Sequence, residues 1–317
     1  MKVIDHIKQA KKTLFSFEIL PPLKGKGIEA IYSSIDPLME FNPSFINVTY
    51  HREEYKYKVV KEDLLQKVSI RRRPGTVGIC AAIKYKYKID AVPHLICGGF
   101  SKEETESALI DLQFLGIDNV LVLRGDPIPG EKHFVPDRGG HAYASDLVRQ
   151  VSNLNKGIYM HEEIENESKS DFCVGVAGYP EKHFEAINMK TDLRYLKQKI
   201  DAGAEYIITQ IFYDNKKYFE FVEQCRQAGI MVPIIPGLKP LTRMSHIKFI
   251  PKTFNIDLPD ELGNELDLCK SEDEVYEVGV KWSIKQAKEL IEYNVPVLHF
   301  YTMGRSKAVR EIASKIF

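Results

Sequence analysis

"FSFEILPP", residues 15–22, reads as a β-strand cut short by two prolines. Alternate residues of a strand share a face. Ser16 and Glu18 therefore fall on one side, and Phe15, Phe17 and Ile19 on the other. A carboxylate among such neighbours is costly to bury unless something offsets the cost. The stretch thus marks a strand of a buried sheet and, on its polar side, a candidate for chemistry.

Seven more short apolar runs follow: FINVTY (45–50), VPHLIC (92–97), NVLVLRGDP (119–127), FCVGVAGYP (172–180), YIITQIFYD (206–214), MVPIIPG (231–237) and VPVLHFYTMG (295–304). Between them, period and composition predict helices over 27–40, within 59–88, and over 101–115, 144–153, 190–203, 217–228 and 273–291, with a last one over 305–316. Ser101 and Glu104 form a capping-box start, and Gly116 stands at the end of that helix. Eight strand-then-helix units suit an α/β fold of the (β/α)8 TIM-barrel type. A doubly wound sheet is the alternative, because periodicity does not reveal closure. No linker, repeat or low-complexity tract divides the chain, so one domain over 1–317 is expected.

The same parity argument applies to the other runs. Asn47 pairs with Thr49, Arg124 with Asp126, and His299 with Tyr301, while Cys173, Gly175, Ala177 and Tyr179 share a side. Each of these polar residues, Gln210 included, comes late in its run, where barrels carry their active sites. Any one could be a satisfied core polar group. Taken together they predict a polar pocket above an apolar barrel.

Composition narrows the chemistry. With 44 Lys+Arg against 44 Asp+Glu there is no net field to draw nucleic acid or an anionic membrane. Arg71–Arg73 and the Lys84–Lys88 run read as solvated faces. Five scattered cysteines give no CxxC pair, and the histidines form no HxH or HExxH, so neither zinc nor a disulfide framework is signalled. No GxSxG elbow is present. The N-terminal stretch lacks an apolar signal-peptide core and no run is long enough to span a membrane, so a reducing, cytoplasmic setting is expected. Gly25, Gly27 and Ala30 match GxGxxA. Two prolines separate them from the strand, and Glu18 would replace a core residue, so a solvated loop is the better reading than a Rossmann dehydrogenase.

The ordered motifs "FSFEILPP", "NVTY", "PHLIC", "NVLVLRGDP", "YASDLV", "VAGYPEKH", "ITQIFYD", "PIIPGLKP" and "HFYTMGRS" resemble those of the methylenetetrahydrofolate reductase family over nearly the whole chain. The resemblance implies an FAD-containing barrel that uses NADH or NADPH to reduce 5,10-methylenetetrahydrofolate to 5-methyltetrahydrofolate, in a short form without a regulatory domain. It implies catalytic Glu18 and Asp126. FAD contacts would be Thr49, His94, Arg124, Gly125, Asp126, Tyr143, Ala144, Tyr179, His183, Ala186, Asp192 and Lys199. The folate substrate would meet Glu18, Asp126, Gln210 and Arg305, with no metal, and the protein would be a homo-oligomer. Departures from the family pattern are His51–Glu54 after "VTY", Tyr195 and Gln198 near the adenosine end, and Ile250, beside Phe249, where an aromatic residue often stacks. The altered loop leaves open a partner protein as electron donor.

Overall fold

The computed structural model describes residues 1–61, 64–128, 131, 133–161 and 169–317. Its principal sheet is parallel and is built from β1 (Leu14–Ile19), β2 (Phe45–Val48), β5 (Asp90–Ile96), β6 (Asn119–Leu123), β7 (Cys173–Gly178), β8 (Tyr206–Thr209), β9 (Ile234–Ile235), β10 (Gly237–Leu238) and β11 (Val297–Tyr301). The order runs β10-β11-β1-β2-β5-β6-β7-β8-β9. The two ends of this sheet, β9 and β10, are parted only by Pro236, whose missing N–H breaks the ladder without interrupting the chain. Counted as one strand they close an eight-stranded barrel, and the doubly wound alternative falls away.

Helices alternate with the strands. They are α2 (Glu29–Ile35, continued by a 3-10 turn Asp36–Phe41), α3 (Thr76–Tyr87), α4 (Lys102–Phe114), α5 (Ala144–Leu154), α6 (Met189–Asp201), α7 (Asn215–Gln227), α10 (Glu272–Glu292) and α11 (Lys307–Ala313). The capping box on α4 forms as expected, Ser101 Oγ accepting from the Glu104 N–H and Glu104 from the Ser101 N–H. Gly116, at φ +63°, follows that helix in the left-handed conformation that favours glycine.

Two faces of the strands build two cores. Phe15, Phe17, Ile19, Ile46, Val48, Val120, Val174 and Phe300 look outward and pack under the helices. Phe45, Val92, Leu121, Cys173, Tyr206, Ile208, Ile235 and Val297 fill the barrel interior. A side chain at Gly175 would collide with the Tyr206 ring, so glycine there makes room for the interior tyrosine. Helix α1 (Val3–Gln9) covers this inner cluster with Val3, whose N–H bonds Asn119 Oδ1 at 2.8 Å.

Three elements depart from the sequence-based expectation. The stretch within 59–88 yields a helix only at α3; before it lies an antiparallel hairpin of β3 (Glu54–Lys61) and β4 (Leu64–Ile70). Between β10 and α10 come α8 (Met244–Phe254) and α9 (Asp260–Asp267), which cover a satellite core of Ile211, Leu241, Ile250, Leu262, Leu266 and Val275. The basic runs are not simply solvated, for Arg73 bonds the Pro21 carbonyl and Lys84 the Gly116 carbonyl.

Candidate active site

Parallel strands in a closed barrel all end on one rim, and the polar residues meet there. Ser16 pairs in register with His299, Glu18 with Tyr301 on one side and Asn47 on the other. Ser16, Asn47 and His299 are fully buried, and Glu18 and His94 keep 8% and 5% of their surface. These side chains lie at or above the inner apolar layer, as the alternation in "FSFEILPP" implied.

Glu18 Oε2 stands 3.2 Å from His94 Nε2, and Asn47 Nδ2 is 3.3 Å from the same nitrogen. Burial pushes the Glu18 carboxyl up to about 8, because the charged form loses its water. Burial, with a smaller push from the His51 imidazole, holds His94 down at about 3. Burial thus favours the neutral form of both groups, and the 3.2 Å approach sets a carboxyl beside an imidazole rather than forming an ion pair. The main chain is fixed as well: Thr302 Oγ1 donates to the Glu18 carbonyl at 2.7 Å. His299 Nδ1 lies 2.8 Å from Ser16 Oγ. Asn47 Oδ1, Thr49 Oγ1 and His299 Nε2 are buried without a hydrogen-bond partner among the described residues. Such orphans are rare and point to a ligand or water.

A second group lies after β6 and β7. Gly125, at φ +86°, turns the chain between Arg124 and Asp126. Arg124 pairs with Glu185 at 2.6 Å, and its guanidinium lies 5.2 Å from the centre of the Phe134 ring. The His183 N–H donates to Asp192 Oδ2 at 2.8 Å, and the Tyr179 and His183 rings meet edge to face at 4.7 Å. Asp192 sits in the first turn of α6, where a carboxylate suits the helix dipole. Lys199 donates to the Ala177 carbonyl at 2.6 Å, and burial lowers its ammonium to about 8, partly offset by the Asp192 charge. Arg124 and Lys199 thus share one neighbourhood with the carboxylates Glu185 and Asp192, all four acting on His183.

The structure thus brings Glu18 together with His94, and His183 with Asp192. Asp126 is exposed at its turn, Tyr143 is the exposed N-cap of α5 with Ala144 as its first residue, and Ala186 is buried, its carbonyl accepting from Lys182 Nζ. Gln210 follows β8 and bonds the Ile211 N–H through Oε1; Arg305 is exposed after β11, its N–H on the Thr302 carbonyl. Ile250 is buried in the satellite core, while Phe249 is 58% exposed, so the aromatic residue that α8 offers to solvent is Phe249. Glu185 and Phe134, the partners of Arg124, carried no sequence signal, being set by loops whose path period and propensity do not reveal. Asn47 was visible as a strand-facing polar residue, but its contact is with a different strand.

The family model of methylenetetrahydrofolate reductase matches residues 2–316. The 5,10-methylenetetrahydrofolate reductase of Escherichia coli (strain K12) is 31% identical over 92% of this chain and 86% of its own length. Methylenetetrahydrofolate reductase (NADH) 1 of Arabidopsis thaliana is 33% identical over 97% of this chain, which spans 49% of that longer protein. Among solved structures, an uncharacterized protein from Clostridium thermocellum that binds two copies of 5-methyl-5,6,7,8-tetrahydrofolic acid aligns over 99% of this chain and 98% of its own, with a TM-score of 0.59 and 16% identity, a likeness of fold. With the barrel closed, its polar rim assembled and the family's model spanning all but the terminal residues, the chain belongs to the methylenetetrahydrofolate reductase family.

Proposed function

We propose that the protein is an FAD-dependent reductase that converts 5,10-methylenetetrahydrofolate to 5-methyltetrahydrofolate with NADH or NADPH. The observation that carries the reading is a Glu18 carboxyl buried at the barrel's rim, 3.2 Å from His94 Nε2, whose acid form burial favours by pushing it up to about 8. The substrate needs an acid there. Opening its five-membered ring to the reactive iminium requires a proton on the departing anilinic nitrogen, and an acid with a pKa near the working pH can both hold and release one. Glu18 ends that step as a carboxylate, whose burial favours prompt reprotonation.

The residues present fit a flavin dinucleotide. Arg124, Lys199 and His183 would face its diphosphate, the orphaned Thr49 hydroxyl and the Tyr143–Ala144 start of α5 would supply further hydrogen bonds, and Gln210 has the donor–acceptor pair that a pterin edge requires. Bound there, the flavin supplies the two-electron carriage between nicotinamide and folate. Asp126 would stand near it and disfavour added negative charge, and Arg305 would meet the substrate's carboxylates.

The test is spectroscopic. The purified protein, reconstituted with FAD if necessary, should show a flavin spectrum that NADH or NADPH bleaches anaerobically and methylenetetrahydrofolate restores. A protein that binds no FAD refutes the reading. One whose flavin is bleached by dithionite but by neither nicotinamide refutes the donor assignment and leaves an electron-donating partner.

A further inference from the structure

A cavity of about 610 Å³ opens on the helix side of the barrel wall, between α2, α3 and α4. Its lining includes Leu95 of β5, which packs outward, whereas the preceding residue, His94, faces Glu18 inside the barrel. The strand therefore separates this cavity from the pocket described above. Ile31, Ile79 and Leu95 make it apolar, and the Tyr50 and Phe100 rings, whose centres lie 4.9 Å apart, also line it.

At the start of α3 the lining turns polar. The N-cap is Gly75, which has no side chain to accept from the first turn. The N–H groups of Thr76, Val77 and Gly78 have no acceptor among the described residues, and all three residues line the cavity. Thr76 is only 3% exposed, and its hydroxyl has no hydrogen-bond partner among the described residues. A side chain at Gly75 would collide with the Arg71 guanidinium, so that cation lies against the same first turn. Lys26, from the glycine-rich stretch between β1 and α2, is a second cation in the lining. The described lining residues include no carboxylate. Glu53 and Glu104 act on Tyr50 from outside the lining, and Glu104 is engaged by the Ser101 N–H.

We propose that this cavity is a second ligand site for a small molecule carrying an oxyanion, phosphate or carboxylate, on an apolar or aromatic body. The oxyanion accepts from the α3 amides and the Thr76 hydroxyl, where the helix dipole and Arg71 both favour negative charge. The body lies against Ile31, Ile79 and Leu95. The volume is that of ordinary small-molecule sites, roughly 300–1,000 Å³. None of the lining residues is among those proposed for FAD or folate, so the inference stands whether or not the protein reduces folate.

The test is isothermal titration calorimetry on the purified full-length protein with three probes of one shape: 1-naphthyl phosphate, 1-naphthoate and the neutral 1-naphthalenemethanol. At least one anion should bind at least about tenfold tighter than the alcohol, the worth of one charge-assisted bond. Which anion binds better tells a phosphate head from a carboxylate. Two variants locate the site. A Cβ at Gly78 meets nothing within 4 Å, so Gly78→Leu places its side chain in open space and improves the helix. It should cost the anion at least about tenfold in affinity while the circular dichroism spectrum stays native. Arg71→Met should weaken the anion and leave the alcohol unchanged. Binding of neither anion, equal binding of anion and alcohol, or full anion affinity in a folded Gly78→Leu overturns the proposal. Should Gly78→Leu fail to fold, unchanged anion affinity in Arg71→Met overturns it as well.

Discussion

Replacing Glu18 with glutamine should stabilise the protein, and the gain should grow with pH. The carboxyl titrates near 4.5 in the unfolded chain and, through burial, near 8 in the folded one. A raised folded pKa means that the folded state binds the proton more tightly, so this group's contribution is complete below about pH 4.5 and is lost as pH rises through about 8. Each unit in that window is worth about 1.36 kcal/mol. At pH 7, two and a half units above the unfolded value, the wild type should have given up about 3 kcal/mol, an upper figure because a buried charge recruits water and relaxes its surroundings. Glutamine fills nearly the same volume, keeps a polar group opposite His94 Nε2 and never ionises. Against a typical stability of roughly 5–15 kcal/mol, the difference should be plain in urea unfolding curves.

The assay compares wild type and Glu18→Gln from about pH 5 to about pH 8. Groups common to both chains cancel in the difference, leaving the Glu18 titration alone. The expected result is near equality at the acid end and a widening advantage for glutamine above it. A difference that stays flat with pH would mean that Glu18 ionises in the folded state as it does in the unfolded one. The argument from burial would then fail.

The same variant has a kinetic counterpart: Glu18→Gln should slow methylenetetrahydrofolate reduction by about 10²–10⁴-fold while flavin reduction by the nicotinamide stays within about tenfold, since a positioned acid acts only in the step that it serves. Stopped-flow traces of the two half-reactions separate these, and equal loss in both would make Glu18 structural. Asp126→Asn removes a negative charge from the turn beside the proposed flavin, so the two-electron midpoint should rise, about 30 mV for each 1.4 kcal/mol of charge interaction removed; an unchanged or lower midpoint in a redox titration would remove Asp126 from the flavin. Lys199→Met keeps the packing and deletes the ammonium bonded to the Ala177 carbonyl, so FAD affinity measured by fluorescence titration of the apoprotein should fall at least about tenfold, the loss of one charge-assisted bond. Unchanged affinity would move the diphosphate elsewhere.

What was legible in this chain, and what was not, divides along one physical line. Period-2 alternation within a strand depends on nothing beyond that strand, so Ser16 and Glu18 could be assigned to the pocket face from "FSFEILPP" alone, and the eight runs predicted the strand–helix order while leaving closure open. The β3–β4 hairpin was equally local. Tyr55, Tyr57 and Val59 alternate with Lys56 and Lys58, a strand signature that the helix expected within 59–88 does not take into account. Contacts between strands are another matter. Register pairs Asn47 with Glu18 and with Val92, yet Asn47 Nδ2 reaches His94, two residues further along β5. That reach depends on the tilt and stagger imposed by closing the barrel, quantities that no single strand carries. The proposed acid is therefore read from one strand, while His94 and Asn47, the side chains that stand against it, belong to two others. A substitution at Asn47 leaves the alternation of "FSFEILPP" untouched and still removes a neighbour of His94, the residue that stands against Glu18.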